Sequence, residues 1–106
     1  MRKYLVQGSY SKSGVKGLLK EGGSKRKALV ESLIQNLGGT VECFYYCLGE
    51  TDFVVICSLP ERTSALAFSM AVKATGSANL SLLELIETPE IDKAAKVRVG
   101  YRAPGA

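Results

Sequence analysis

The sequence predicts an α+β domain whose elements follow the order β-α-β-β-α-β. Four apolar stretches have the alternation or β-branched content of strands, two others repeat apolar residues with a helical period, and glycine or proline separates most of them. This order is the split β-α-β arrangement of a ferredoxin-like fold. We therefore expect a four-stranded antiparallel sheet with two helices on one face.

The first strand and the first long helix begin the pattern. Residues 3–10 (KYLVQGSY) place Tyr4, Val6 and Tyr10 on one face of a strand. The following SKSGVKGLLKEGG is interpreted as a turn and a short connection. Apolar residues then recur at i, i+3, i+4 and i+7, which predicts a helix over residues 24–37 with Ser24 as its N-cap. Gly38 or Gly39 ends this helix.

A hairpin follows the helix. Residues 40–47 (TVECFYYC) and 53–59 (FVVICSL) are rich in aromatic and β-branched residues, and Pro60 ends the second strand. A four-residue loop, GETD, joins them. This loop length predicts three pairs: Leu48 with Phe53, Cys47 with Val54, and Phe44 with Cys57. In this register Cys47 and Cys57 do not lie opposite each other, so we expect the cysteines to remain free thiols.

The last third of the chain supplies a helix, a strand and a helical turn. Residues 61–76 are apolar around most of a helical circumference, which predicts burial on more than one side, and Gly76 ends the helix. Residues 80–87 (LSLLELIE) form the fourth strand. Thr88 as N-cap and Pro89 at the first helical position begin a short third helix.

Length and composition limit the classes of protein. A chain of 106 residues forms one domain, residues 1–106. No apolar run approaches the roughly 20 residues of a membrane helix, and the N-terminal apolar run is too short for a signal peptide. Three cysteines without a CxxC pair suit a reducing compartment. We therefore expect a cytoplasmic protein with no membrane partner.

The chain contains no histidine. Histidine is the usual general base near neutral pH and the commonest metal ligand. Its absence excludes a Ser-His-Asp triad, a Cys-His pair and histidine-ligated zinc or haem. We expect no metal and no cofactor.

Positive charge is concentrated at one end. Residues 1–27 carry eight lysines and arginines against one acid, although the whole chain has a net charge of only +4. Such a region attracts anions. Because the chain lacks the aromatic and glycine pattern of an RNA-binding sheet, we do not expect nucleic-acid binding.

Both faces of the predicted sheet are apolar. A half-exposed antiparallel sheet alternates apolar with polar residues, and two helices cover only one of its faces. We therefore predict a homo-oligomer, a dimer or larger, in which the second face packs on another copy.

The order of motifs resembles the GYD-domain family of small bacterial proteins, which is related to the dimeric α/β-barrel superfamily. Four stretches carry the likeness: KGLLKEGGSKRKALVESLIQNLGG, FYYCLGETDFVVICSLP, the small-residue helix that ends at Gly76, and the ending YRAPGA. The resemblance implies a dimeric α/β-barrel-type assembly and no established activity. The family's turn is Gly-x-Tyr-Asp, and Thr51 stands here in place of the tyrosine.

The stretch KEGGSKRK is the first candidate site. Glycines before a helix start let backbone N–H groups approach an anion, and the helix dipole favours negative charge there. Lys20, Ser24, Lys25 and Arg26 would bind that anion. The alternative is a flexible connection with a solvated basic surface. The stretch is not a P-loop, because glycine occupies the lysine position of that motif.

Other candidate residues come from the loop and the tyrosines. Asp52 either takes part in a site or accepts hydrogen bonds from backbone N–H groups of its turn. Tyr10 and Tyr46 are candidates for lining a cleft between sheet and helices, where the superfamily resemblance implies that ligands lie, although core packing would also explain them.

These observations favour a non-catalytic oligomeric module that binds a small anionic molecule. The alternatives are a cofactor-independent enzyme of the dimeric α/β-barrel type acting on a small organic substrate, and a purely structural or partner-binding subunit. Neither the sequence nor the resemblance decides whether there is an enzymatic activity.

Overall fold

The computed structural model describes residues 1–106 and confirms the α+β, ferredoxin-like fold class. Four antiparallel strands form one sheet in the order β2-β3-β1-β4. The strands are β1 (Arg2–Tyr10), β2 (Thr40–Tyr46), β3 (Phe53–Leu59) and β4 (Ala78–Leu85). The helices are α1 (Lys12–Glu21), α2 (Gly23–Asn36), α3 (Arg62–Ala74) and α4 (Thr88–Ala95). None of the helices is long and apolar enough to cross a membrane.

The segment predicted to be a turn and connection is a ten-residue helix, α1. Ser11 caps it, because its hydroxyl accepts the Gly14 N–H at 3.2 Å. Gly22 ends α1 and is also the residue before α2, with φ at 90°. Only glycine adopts this backbone conformation readily, so a single residue turns the chain from one helix into the next.

Two predicted helix caps are wrong by a residue or two. Gly22 is the N-cap of α2 and provides no side-chain hydrogen bond, so Ser24 lies within the first turn. Likewise Glu87 is the N-cap of α4, and Thr88 is already helical. The predicted C-terminal glycines are confirmed, since Gly38 and Gly76 follow α2 and α3 with φ at 85° and 70°.

The predicted hairpin register is wrong by two residues. Tyr46 pairs with Phe53, and Tyr45 pairs with Val54, so the loop covers residues 47–52. A β-bulge between Val41 and Cys43 then shifts the register again. The loop is closed by the Cys47 N–H, which donates to the Asp52 carbonyl at 2.7 Å, while the Asp52 N–H donates to Gly8 of β1. The expectation of free thiols is confirmed for all three cysteines.

The hydrophobic core lies between the sheet and α2 and α3. On the helix-facing side of the sheet, Val6, Val55 and Cys57 are almost fully buried, and Ile34 of α2 packs against them. The bulge turns Val41 toward this core, whereas the sequence pattern placed it on the opposite face with Cys43.

The opposite side of the sheet, here called the open face, is not covered by any helix. One apolar row crosses all four strands through Cys43, Ile56, Leu5 and Leu83. The neighbouring rows mix apolar with polar residues, including Tyr45, Val54 and Gln7. The open face is therefore an apolar band with polar flanks, narrower than the strand sequences predict.

Helix α3 is less buried than its sequence predicts. Ala65, Phe68 and Ser69 are its only buried residues, whereas Leu66 and Met70 are 54% and 67% exposed. A cleft, described next, is lined by Ala67 and Ala71 of α3, whereas Leu66 and Met70 do not line it and lie on the outer surface.

Candidate functional site

A cleft of about 700 Å³ opens between α1, α2 and α3. Its walls are mainly apolar and include Leu18 of α1, Leu29 and Leu33 of α2, and Phe68 and Val72 of α3. Its volume is in the range of small-molecule sites, which run from about 300 to 1,000 Å³. The cleft can therefore hold the apolar part of a small organic molecule.

Arg26 gives the cleft a positive charge. It lies in the first turn of α2, and its side chain is half-buried where the cleft meets the core. The salt bridges of the chain involve only Arg2 and Lys3, so the Arg26 guanidinium has no carboxylate partner. Glu21 also lines the cleft but is not within ion-pair distance of Arg26. A partly buried guanidinium without a partner is a suitable anchor for an anion.

Two tyrosines lie beside Arg26. Tyr10, at the end of β1, lines the cleft, and its ring packs on Phe53 with centroids 5.1 Å apart. The Tyr46 hydroxyl donates to the Gly23 carbonyl at 2.9 Å. Gly23 must remain small here, because a Cβ would lie 3.1 Å from the Tyr46 ring.

Both phenols stay protonated near neutral pH. Burial raises the pKa of Tyr10 to about 12; the Tyr46 phenol adds to this, and the Arg26 guanidinium opposes it. Burial also raises the pKa of Tyr46, although Tyr10 and Arg26 both lower it. A protonated Tyr10 hydroxyl beside Arg26 can donate a hydrogen bond to an anion.

Asp52 holds the loop against β1. Its carboxylate Oδ2 accepts the Tyr10 backbone N–H at 2.8 Å, and its own N–H donates to the Gly8 carbonyl at 2.8 Å. The carboxylate does not line the cleft. Asp52 therefore fixes the backbone of Tyr10 and acts on the cleft only through it.

The structure separates the predicted anion-binding residues into two groups. Arg26 lines the cleft, whereas Lys20, Ser24 and Lys25 are exposed and do not. Successive residues of a helix point about 100° apart, so neighbours in sequence face different surroundings. Tyr10, Tyr46 and Arg26 are the predicted residues that the fold brings together.

Much of the cleft was not predicted from the sequence. The sequence does not predict that residues of α1 line the cleft, because its pattern indicates a connection there. Ser11 nevertheless provides a recognisable helix cap. Leu33 belongs to the apolar i, i+3, i+4, i+7 series that predicts helix 24–37, yet it is 39% exposed and lines the cleft. The helical period identified its face but not whether that face met the sheet or an open space.

The cysteines and acids do not form a second site. No group of three or more histidine, cysteine, aspartate or glutamate side chains is arranged to hold a metal ion. Burial raises the pKa of the Cys57 thiol to about 11, with a smaller contribution from Glu42, so this thiol is not activated as a nucleophile.

Comparison with known proteins identifies one family. A family model described as the GYD domain matches residues 4–95, from β1 to the last residue of α4. The matched region contains Tyr10, Arg26, Tyr46 and Asp52. No curated protein matches the chain.

Proposed function

Because the chain belongs to the GYD domain family, we propose its function from the cleft: it is a non-catalytic module that binds a small organic anion. One observation carries this proposal. The half-buried Arg26 guanidinium has no carboxylate partner, although it lies at a mainly apolar cleft. An anionic group of a ligand would supply that partner.

The two kinds of surface in the cleft define the ligand. Leu18, Leu29 and Phe68 suit an apolar body. Arg26 suits one carboxylate or sulfonate, and the Tyr10 hydroxyl can donate to the same group. The ligand class is therefore an amphipathic organic acid with its charged end at the start of α2.

The tyrosines support binding over acid–base catalysis. A cofactor-independent enzyme acting in this cleft would need a group that exchanges a proton near neutral pH. The pKa values of Tyr10 and Tyr46 are shifted upward, away from neutrality. The protonated Tyr10 phenol thus serves as a hydrogen-bond donor to a bound molecule, whereas the Tyr46 hydroxyl, which does not line the cleft, donates to the Gly23 carbonyl.

The proposal is tested by titration calorimetry with octanoate and with 8-anilinonaphthalene-1-sulfonate. Octanol serves as the uncharged counterpart of octanoate. We expect the two anions to bind and octanol to bind at least tenfold more weakly. Arg26→Met should weaken anion binding about 10- to 100-fold, because a charge-assisted hydrogen bond contributes about 1.5–3 kcal/mol.

Lys25→Met is the matched control. It removes the same charge from the adjacent residue, whose side chain is exposed and lies outside the cleft. We expect this variant to bind like the parent protein. Equal losses in the two variants, or no binding of either anion to the parent protein, would contradict the proposal.

The proposal also includes the cellular compartment and the oligomeric state of the module. Three free cysteines suit a reducing compartment, so we place the protein in the bacterial cytoplasm. The apolar row of the open face supports a homodimer or larger homo-oligomer built on that face.

A further inference from the structure

The single chain exposes more surface than a folded monomer of its mass. Its accessible surface is 7674 Å², whereas a monomer of 11.4 kDa is expected to expose about 5,800 Å². The radius of gyration is 17.3 Å, against about 13 Å for a compact domain of this length. The surplus of about 1,900 Å² exceeds the ~800 Å² that each partner buries in a standard interface. A second copy is therefore a fitting occupant for this surface.

Residues 87–106, here called the arm, account for much of the elongation. All of them are exposed, and the long axis of the molecule is 58 Å against 33 and 24 Å for the others. The arm nevertheless carries large apolar side chains at 57–76% exposure: Ile91, Val97, Val99 and Tyr101. A segment with this composition is expected to pack on something.

Within the arm, residues 97–102 (VRVGYR) have the pattern of a strand. Val97, Val99 and Tyr101 alternate with Arg98, Gly100 and Arg102, so one side is apolar and the other basic. These residues adopt no regular structure in the single chain. Within the segment, the Val97 N–H donates to the Ala94 carbonyl at 3.0 Å and the Tyr101 N–H donates to the Val99 carbonyl at 2.8 Å. A strand needs a neighbouring strand for its backbone hydrogen bonds, and no strand of the same chain pairs with residues 97–102.

The outer edge of β4 offers such a neighbour. The sheet ends at β2 on one side and β4 on the other. A bulge interrupts β2, whereas β4 is eight residues long and regularly paired with β1. Leu83 and Leu85 of β4 lie on the open face, and Glu84 lies on the opposite face.

We propose that residues 97–102 of one copy pair with the outer edge of β4 in a second copy, as a fifth strand, and that the exchange is reciprocal. The apolar side of the added strand then extends the open face beside Leu83 and Leu85. Its Arg98 and Arg102 lie on the side of Glu84. The Glu84 carboxylate pairs with Arg2 of its own chain at 3.1 Å, but both side chains are exposed, so the arginines of the arm can share this acid and gain charge complementarity. A two-fold axis relates the exchanged arms, so no edge of β4 is left free to recruit further copies. This assembly is independent of the ligand.

The first experiment uses proline in the full chain. Proline removes a backbone N–H. The N–H groups of successive strand residues point to opposite sides, so only one of any two faces the edge of β4. We therefore compare Arg98→Pro with Val99→Pro. Analytical ultracentrifugation over a dilution series should give a dimer for the parent protein. At least one proline variant should have a dimer dissociation constant raised tenfold or more. Ala103→Pro, which places the proline just outside residues 97–102, should dimerise like the parent.

Hydrogen–deuterium exchange locates the contact. In the parent dimer, amides of residues 97–102 and of β4 should exchange slowly, and the disruptive proline variant should lose protection in both. A parent protein that is monomeric at 100 μM, or a dimer whose residues 97–102 exchange as fast as an unstructured peptide, overturns the proposal.

Charge-reversal variants distinguish an arm that pairs with β4 of another copy from an arm that pairs with β4 of its own chain. Glu84→Arg is mixed with the double variant Arg98→Glu/Arg102→Glu. Each homodimer then contains like charges at its arms, whereas the mixed dimer contains opposite charges at both. Native mass spectrometry should show an excess of the mixed dimer over the statistical half. A statistical mixture overturns the proposed register.

Discussion

At the scale of single residues, Asp52 shows how a loop acid can position a site without entering it. Its carboxylate accepts the N–H of Tyr10, the residue that places a phenol beside Arg26. The Ser9 hydroxyl also donates to the Glu50 carbonyl at 2.6 Å, so the loop is tied to β1 by both side chain and backbone. Thr51, which replaces the family tyrosine, makes no side-chain hydrogen bond, so this attachment does not depend on it.

Asp52→Ala should lower the free energy of unfolding by about 1–3 kcal/mol. The substitution leaves the part-buried Tyr10 N–H without an acceptor, and a lost hydrogen bond to a charged group has this magnitude. Urea denaturation followed by circular dichroism measures the change. Glu50→Ala is the control, because its exposed carboxylate makes no hydrogen bond or salt bridge. We expect it to change stability by less than about 0.5 kcal/mol. Similar losses in both variants would contradict the role of Asp52.

At the scale of elements, the pairing of α1 with α2 builds the cleft. Gly22 turns the chain between them, and α1 forms one wall while α2 and α3 form the others. Gly14 packs so closely that a Cβ would meet the Ser77 carbonyl oxygen, whereas a Cβ on Gly17 would meet nothing within 4 Å. Helix α1 is thus attached at its start and faces open space near its middle.

Gly17→Leu should block the cleft without unfolding the protein. The new side chain has room on the cleft wall, and leucine is favoured over glycine inside a helix by roughly 0.5–1 kcal/mol. We expect a raised midpoint of thermal unfolding together with at least tenfold weaker octanoate binding. Gly17→Ala should raise stability similarly and change affinity less. Full affinity in Gly17→Leu would place the ligand elsewhere.

At the scale of the whole molecule, the apolar row of the open face is the surface on which the proposed homo-oligomer is built. Tyr45 lies on this face and is 64% exposed, on the strand farthest from β4. A substitution of Tyr45 therefore affects packing between open faces and not the pairing of the arm with β4. The two interfaces can therefore be tested by different substitutions.

Tyr45→Glu should weaken self-association at least tenfold, because it places a charge in the proposed apolar contact. Light scattering coupled to size-exclusion chromatography at micromolar concentrations measures the molar mass. Leu48→Glu is the control, since Leu48 lies in the neighbouring loop and is fully exposed. A parent protein that is a stable monomer, or equal effects of both variants, would contradict packing through the open face.

The sequence by itself determined the fold class, the strands within two residues, and the absence of histidine chemistry. These depend on local periodicity and composition, which a chain carries wherever it lies in space. Gly38, Pro60 and Gly76 end their elements for the same local reason, since backbone conformation is a property of the residue.

Tertiary structure alone decided the hairpin register and the composition of the cleft. In the observed register Asp52 accepts the Tyr10 N–H, a hydrogen bond between residues 42 apart, which no local pattern contains. The cleft likewise unites Tyr10 with Arg26 of another element, with Tyr46 beside them but outside the lining, and it leaves Lys25 in solvent. Periodicity tells which residues share a face of an element, but only the packing of one element on another decides whether that face meets a core, a cleft or water.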